Sequence, residues 1–579
     1  MKIKKHILYA TLALTVSGVL LSSCEDMFGG FLDKQPSNEL TEEQTFNDWN
    51  TTLQFHYDTY NFLRHGAGAI NNTWLDAATD LGETSFSGGV KMAFNIGNYY
   101  GGSAATELTA VWESSYRAIR KCNMIIERAA DVPLDPSKVD EQSNKAREII
   151  AEARFFRAYF YWGMFLRYGP VPIVTTVLDP DGNLLSGYTT RPTLREYVLD
   201  FVLDELAGCE ADLRDYNNEG YLCKPVARAL YARIMLYMAS PRYAAESGIT
   251  WQQAADAAAG FRADFGSLYG LYTTSDATNS AYTYAMLRTS YKDGNNETIF
   301  FRNGVQIGWN GIYNDTPVGE GGNGGLCPSQ NLMDMYDMAD GSAPFAQYDA
   351  TGAPVYNGLT PVINAASGYS DARMWENRDP RMESTILHHG RAWGNGVINV
   401  IFGQRDNPIG NANATPTGYY VCKYIPENIL EVNHTQVGYR NWQFIRYAEI
   451  LLNEAEALNE VYGPTRQVYD NLNLIRHRGG ITGKVEDRAD LVTKEAMRNF
   501  IRKERTIELA FEEHRWWDVR RWNVAELALN RPIYGINVAA DGTITRKVAQ
   551  ERTFEEKMYL YPIPEAEVWK TDIENNPGW

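Results

Sequence analysis

Apolar residues recur at spacings of three and four along much of this chain, which is the pattern of helices that pack one face into a core. Between residues 41 and 64, for example, Trp49, Leu53 and Tyr57 share one helical face. The same pattern predicts helices over 104–130, 145–168, 193–213, 224–239 and 251–261, and further helices within 445–480. Successive helices of this size are typical of tetratricopeptide-like units, although no strict repeat period is visible. The pattern therefore predicts a mainly α fold built on a helical-repeat scaffold.

The helical period is lost between Tyr282 and Asn441, where Gly, Asn, Pro and aromatic residues dominate. A loop region of that length inside a compact chain usually has a function. We therefore expect a large, irregular, loop-rich insertion over about 282–440, between scaffold segments at about 41–270 and 441–525, with a C-terminal tail over 526–579.

The stretch from Asn499 to Trp522 combines apolar and charged residues on one face of a predicted continuous helix. The residues on that face are Phe500, Glu504, Ile507, Ala510, Phe511, His514, Trp517, Asp518, Arg521 and Trp522. A charge buried there needs an opposite charge or a hydrogen-bond partner. We predict a buried polar network in which Glu512 pairs with Arg515, and Asp518 with Arg521. A structural role is favoured over an active site.

The N-terminus has the pattern of a secretory signal. Three lysines precede an apolar run from Ile7 to Leu21, and Leu21-Ser22-Ser23 leads to Cys24. Small residues before a cysteine look like a bacterial lipobox, which predicts a signal peptide over residues 1–23 and a lipid on Cys24. The alternative is an ordinary signal peptide followed by a chance cysteine. The remaining cysteines contain no C-x-x-C pair, and whether the close pair Cys209 and Cys223 forms a disulfide stays open.

Charge and motifs disfavour several functional classes. The chain of 579 residues carries a formal net charge of −18, so nucleic acid is not an expected partner. The glycines of 319–324 match G-x-G-x-x-G but lack the flanking strand and helix, and no H-E-x-x-H is present. We therefore predict neither a cofactor nor a catalytic metal, and whether a structural calcium is bound stays open. Paired carboxylates of a glycosidase are not excluded by composition, but no pair stands out.

Aromatic residues within Gly- and Asn-rich segments are the candidate binding residues. Sugar rings are recognised by stacking on exposed aromatic rings while amides and charged groups bind the hydroxyls. Trp309 and Tyr313 lie in I-G-W-N-G-I-Y-N-D, Tyr99 and Tyr100 lie in I-G-N-Y-Y-G-G, and Trp74 begins the same region. Trp309 is the best single candidate, because it has no periodic apolar neighbours. The alternative for all five is that they anchor their loops in the core.

Seven distinctive strings run in order along the chain. They are Y-G-P-V-P at 168–172, N-E-T-I-F at 296–300, P-S-Q-N-L at 328–332, N-R-D-P-R at 377–381, I-R-K-E-R-T-I-E-L-A-F-E-E-H-R-W-W-D-V-R-R-W at 501–522, Y-L-Y-P-I-P at 559–564 and N-N-P-G-W at 575–579. Together with the string that ends at Cys24, they resemble the SusD/RagB family, the nutrient-binding outer-membrane lipoproteins of Bacteroidetes.

The resemblance implies one SusD-like domain over 24–579, anchored by lipid in the outer membrane at the cell surface. It implies a tetratricopeptide-like scaffold whose loop-rich insertion faces the ligand, and a carbohydrate ligand delivered to a SusC-like, TonB-dependent transporter. Two alternatives are a surface glycoside hydrolase with paired carboxylates and an assembly lipoprotein without a ligand. The identity of the glycan or other nutrient stays open.

Overall fold

The computed structural model describes residues 41–579 except 71–72, 87–88, 104–105, 180–187, 217–219, 274–294 and 303–305. The predicted lipidation site, Cys24, lies outside the described residues. Among the described residues, no helix combines the length and hydropathy needed to cross a bilayer. Cys209 and Cys223 are both buried and are not joined by a disulfide.

The helices follow the predicted order, with small differences at their ends. Their bounds are α1 Trp49–Tyr57, α2 Val111–Arg128, α3 Val139–Tyr168, α4 Lys224–Ala239, α5 Trp251–Phe265, α6 Tyr447–Tyr462, α7 Arg466–Arg478, α8 Lys494–Glu508, α9 His514–Arg521 and α10 Glu565–Thr571. The predicted helix at 193–213 is a π-type segment, Arg195–Leu203, that continues as an α-helix over Asp204–Glu210.

Neighbouring helices pack in pairs around a common core. α2 packs against α3, and α5 lies between α4 and α6. Glycine and capping residues set the ends of the helices. Gly169 follows α3 with φ of 70°, and Thr250 caps α5 through a reciprocal bond with Gln253. Because α5 and α6 touch, the irregular segment between them loops out from two adjacent scaffold helices.

The described strands are short and pair as antiparallel ladders. The bounds are β1 Gly82–Thr84, β2 Thr298–Arg302, β3 Gln306–Ile307, β4 Leu326–Pro328, β5 Gly438–Tyr439, β6 Trp442–Arg446, β7 Ile533–Val538 and β8 Ile544–Gln550. The pairs are β1–β4, β2–β6, β3–β5 and β7–β8. Two-residue strands also pair within the insertion at 356–357 with 360–361, 386–387 with 420–421, and 392–393 with 396–397.

The stretch predicted as one helix over 499–522 is instead two helices. α8 ends at Glu508 and α9 begins at His514. Phe511 and Glu513, between them, have φ of 63° and 65°. This left-handed conformation is unfavourable for residues with a Cβ and does not continue an α-helix. The prediction of a continuous helix was therefore wrong, and its charged residues point to separate parts of the molecule.

The predicted buried polar network is present beneath the two helices. Glu508 accepts hydrogen bonds from Arg446 at 2.7 Å and from Arg381 at 3.0 Å, and it also pairs with Arg478. Burial alone would raise the pKa of Glu512, but Arg446 and Lys423 lower it to about 2. Because a buried charge is costly without a partner, these contacts hold the insertion onto α8.

Two strings noted in the sequence supply partners to this network. Glu297 of N-E-T-I-F binds Arg446 at 2.8 Å, and Arg381 of N-R-D-P-R binds Asp379 at 2.7 Å and Glu504 at 2.5 Å. All of these side chains are buried. The two strings therefore act as structural anchors of the insertion.

The predicted pairs within 499–522 have mixed outcomes. Asp518 pairs with Arg521 at 2.7 Å, as predicted. The predicted pair of Glu512 with Arg515 is wrong, because Arg515 binds Asp80 at 2.7 Å. Farther along the chain, Arg552 binds Glu83 at 2.9 Å. The C-terminal part thus closes over the early loop that contains β1.

Candidate functional site

A single helical turn, Trp309–Ile312, begins a surface that carries three aromatic rings. The ring centroid of Trp309 lies 6.5 Å from that of Tyr313 and 6.2 Å from that of His434. Trp309, the best single stacking candidate in the sequence, is only 7% exposed, so it offers little ring face to a ligand. Tyr313 is half-buried and His434 is exposed. We call these three residues the aromatic ledge. The pairing of β3 with β5 brings the loop of His434 beside the turn of Trp309.

Asparagine side chains continue the ledge on the side of Tyr313. The backbone N–H of Asn323 donates to the carbonyl of Tyr313 at 2.8 Å. The Asn323 amide donates to Asn314 at 3.1 Å and accepts a bond from Asn413 at 3.2 Å. These three amides are half-buried. They place hydrogen-bonding groups beside an aromatic ring, which suits the hydroxyls and the C–H face of a sugar.

The ledge is supported from below by buried polar groups. The indole N–H of Trp74 donates to Asp315 at 2.9 Å. Arg440 donates to the carbonyl of Gly311 at 3.0 Å and lies 3.7 Å from Asp315. Burial raises the pKa of Asp315 to about 6, although Arg440 and Trp74 oppose this rise. These contacts fix the turn from which Trp309 and Tyr313 project.

The structure corrects two of the predicted glycan-binding residues. Trp74 is 0% exposed and packs its ring against Trp442 and Tyr424. Tyr99 is also buried, and its ring stacks on Phe94 at 4.6 Å. Neither ring offers a face to a ligand, so the prediction that they contact a glycan was wrong. Both are core anchors of their loops, which was the alternative interpretation.

The five predicted residues do not form one site. Trp74, Trp309 and Tyr313 lie together in the ledge and its support. Tyr100 is exposed, but it lies beside the C-terminal residues, near Glu565. No local pattern in the sequence marks His434, Asn323 and Asn413, because they reach the ledge through tertiary contacts from distant parts of the insertion.

The chemistry of the ledge favours binding over hydrolysis. Its carboxylate, Asp315, is buried and faces Trp74 and Arg440, whereas glycosidases present a pair of carboxyl groups to the substrate. In the part of the chain that the structure describes, no three His, Cys, Asp or Glu residues are grouped in a way that could hold a metal ion.

Comparison with known proteins shows the family of this chain. Residues 274–579 match the SusD family, and residues 30–238 match a family described as starch-binding associating with outer membrane. The first match covers more than half of the chain. The chain therefore belongs to the SusD family, as the sequence motifs predicted.

Individual relatives match over nearly their whole length. SusD-like protein P38 of Formosa agariphila is 22% identical, with 93% of this chain and 95% of that protein covered. The crystal structure of a SusD-like protein from Bacteroides fragilis is 25% identical, has a TM-score of 0.75, and covers 94% of this chain and 100% of its own. A laminarin-binding SusD-like protein is 21% identical, with a TM-score of 0.57 and coverage of 92% and 100%. The predicted mainly α, tetratricopeptide-like fold is confirmed.

Proposed function

We propose that this protein is a cell-surface lipoprotein that binds an oligosaccharide or polysaccharide at the aromatic ledge and delivers it to a TonB-dependent outer-membrane transporter. The observation that carries the proposal is the combination of half-buried Tyr313 and exposed His434 with the half-buried amides of Asn314, Asn323 and Asn413. Ring faces beside hydrogen-bonding groups suit the C–H faces and the hydroxyls of a sugar.

The comparisons support the class of ligand and the location. One structural neighbour is named as laminarin-binding, and the family matched by residues 30–238 is described as starch-binding and associated with the outer membrane. Delivery to a transporter rests on the family alone. Anchoring rests on the predicted lipid at Cys24.

Titration calorimetry with laminarin and starch oligosaccharides tests the binding site. Tyr313→Ala should weaken binding of the recognised glycan by about tenfold to a hundredfold, by analogy with the stacking of a base on an aromatic ring. Tyr462→Ala is the matched control, because Tyr462 is an exposed aromatic residue at the end of α6. Equal affinity of both variants and the parent would place the site elsewhere.

Two further measurements test the rest of the proposal. The purified protein should release no reducing sugar from a glycan that it binds, whereas a glycoside hydrolase would do so. Affinity purification from the native outer membrane should recover a TonB-dependent transporter with this protein. Recovery of the protein without any transporter would contradict the proposed delivery step.

A further inference from the structure

A groove separate from the aromatic ledge lies between α2 and the C-terminal helix α10. Its volume is about 790 Å³, within the range of ligand sites in proteins. α2 contributes Trp112 and Tyr116 to its floor, and α10 contributes Trp569. None of these residues belongs to the aromatic ledge.

Trp569 presents a large ring to solvent at this groove. Its side chain is 74% exposed, although tryptophan is highly buried on average. The rings of Trp112 and Tyr116 lie 5.2 Å apart, and the Tyr116 hydroxyl donates to the carbonyl of Pro172 at 2.8 Å. Packing and hydrogen bonding therefore fix the floor of the groove, while the ring of Trp569 is exposed to solvent.

The glycine pair Gly101–Gly102 closes one end of the groove. The carbonyl of Gly101 accepts a hydrogen bond from the backbone N–H of Glu565 at 3.1 Å. A Cβ on Gly101 would lie 2.6 Å from the carbonyl oxygen of Ile563, and a Cβ on Gly102 would lie 2.6 Å from the Glu565 carboxylate. The backbone contact at Gly101 requires glycine, whereas the Glu565 side chain near Gly102 can move, and exposed Tyr100 lies beside the start of α10.

The charges around the groove are balanced, in contrast to the acidic chain as a whole. The charged lining residues are Glu113, Arg117, Arg120, Glu565, Glu567 and Lys570, with equal numbers of each sign. Lys570 pairs with Glu567 at 2.7 Å. Hydroxyl groups both donate and accept hydrogen bonds, so a lining that carries both cationic and carboxylate groups suits an uncharged polyol better than an anion.

We infer that this groove is a second carbohydrate-binding site, which takes an uncharged oligosaccharide segment with one sugar ring stacked on Trp569. The inference shares with the proposed function only the class of ligand. The groove would bind a second segment of glycan at a place separate from the ledge. Two such sites on one chain would bind a long polysaccharide more tightly than either site alone.

Crystals soaked with maltoheptaose or laminarihexaose test the groove and the ledge together. Sugar density stacked on Trp569 is the expected result. Density at the ledge alone would overturn this inference and leave the proposed function standing. Density in the groove alone would support this inference and overturn the proposed site at the ledge. Density at neither place would overturn both.

Titration in solution provides the second arm. In a Tyr313→Ala background, Trp569→Ala should lower the remaining affinity for the oligosaccharide by about tenfold to a hundredfold. Phe402→Ala is the matched control, because Phe402 is 73% exposed and lies outside the groove. Trp569→Ala should preserve the melting temperature, since the ring is mostly in solvent. Unchanged affinity in the Trp569→Ala variant would overturn the second site, and so would a preference of the groove for sulfated over neutral oligosaccharides.

Discussion

The indole nitrogen of Trp74 donates a hydrogen bond to Asp315 at 2.9 Å inside the core, across 241 residues of sequence. Through this bond, the early loop holds the turn that bears Trp309 and Tyr313. Trp74 therefore acts on the ledge from beneath, although it offers no face to a ligand. The bond is also sensitive to pH, because burial raises the pKa of Asp315 from 3.8 to about 6.

Trp74→Phe should destabilise the protein more at pH 8 than at pH 4.5. The raised pKa of Asp315 gives a stability contribution that is complete below pH 3.8 and is lost as the pH rises through about 6. The hydrogen bond from Trp74 stabilises the charged carboxylate and so opposes part of this loss. Removing the bond should therefore lower the free energy of unfolding most when Asp315 is charged, by about 1–3 kcal/mol. Urea unfolding at both pH values measures the difference.

The control for this prediction is Asp315→Asn, which removes the charge. In that background the effect of Trp74→Phe should be the same at pH 8 and pH 4.5, because the amide oxygen still accepts the indole hydrogen bond but the amide does not titrate. A pH dependence that survives in the double variant would show that another group is responsible.

Asp518→Ala should lower the free energy of unfolding by about 3–5 kcal/mol without changing glycan affinity in the folded protein. Burial alone would raise the pKa of Asp518, but Arg505 and Arg521 hold it below its ordinary value. The stabilisation is therefore present above pH 3.8 and is lost as the pH falls toward the lowered pKa. Without Asp518, both arginines are left to share Glu456.

Thermal unfolding of Asp490→Ala provides the comparison for Asp518→Ala. Asp490 pairs with Arg488 at 2.6 Å, but its side chain is mostly exposed, so we expect a loss of at most about 1 kcal/mol. If Asp518→Ala melts like the parent and loses its ligand, the network serves function and not structure.

Trp309→Ala should weaken both the fold and glycan binding. Trp309 is buried with Ile312 in a hydrophobic core cluster, so its ring contributes to packing as well as to the ledge. Removing such a ring typically costs about 3–5 kcal/mol. Circular dichroism melting should show the loss of stability, and calorimetry below the melting temperature should show weaker binding. A variant that melts normally would mean that the ring contributes little to packing.

Cys24→Ala should abolish acylation of the protein. The prediction rests on the string Leu21-Ser22-Ser23-Cys24 after an apolar run. Metabolic labelling with a fatty-acid analogue should mark the parent and not the variant. Labelling of the variant would assign the lipid to another residue.

Local patterns predicted the scaffold well and the ledge only in part. The helices around 145–168 and 224–239 are visible because their own residues define the buried face. Asp518 and Arg521 could be paired in advance, because they are three positions apart on one helix. Arg515 could not, because its partner Asp80 is 435 residues away.

The burial of Trp74 and Tyr99 also depends on residues that are distant in the sequence. Glycine and asparagine neighbours indicate a loop, but they do not show what packs on that loop. Tyr99 is covered by Phe94 and by Trp579 at the end of the chain. The exposure of Trp569 could not be predicted either, because α10 is too short for its residue pattern to distinguish a buried face from an exposed one.

The closure of the C-terminal part over the early loop has a consequence for the order of assembly. A polypeptide is synthesised from its N-terminus, so Asp80 and Glu83 are present long before Arg515 and Arg552, which neutralise them at 2.7 and 2.9 Å. Until then those carboxylates are better hydrated than buried. The loop that contains β1 is therefore buried only after the C-terminal segment has been synthesised. Translocation across any membrane can take place before this last step of folding.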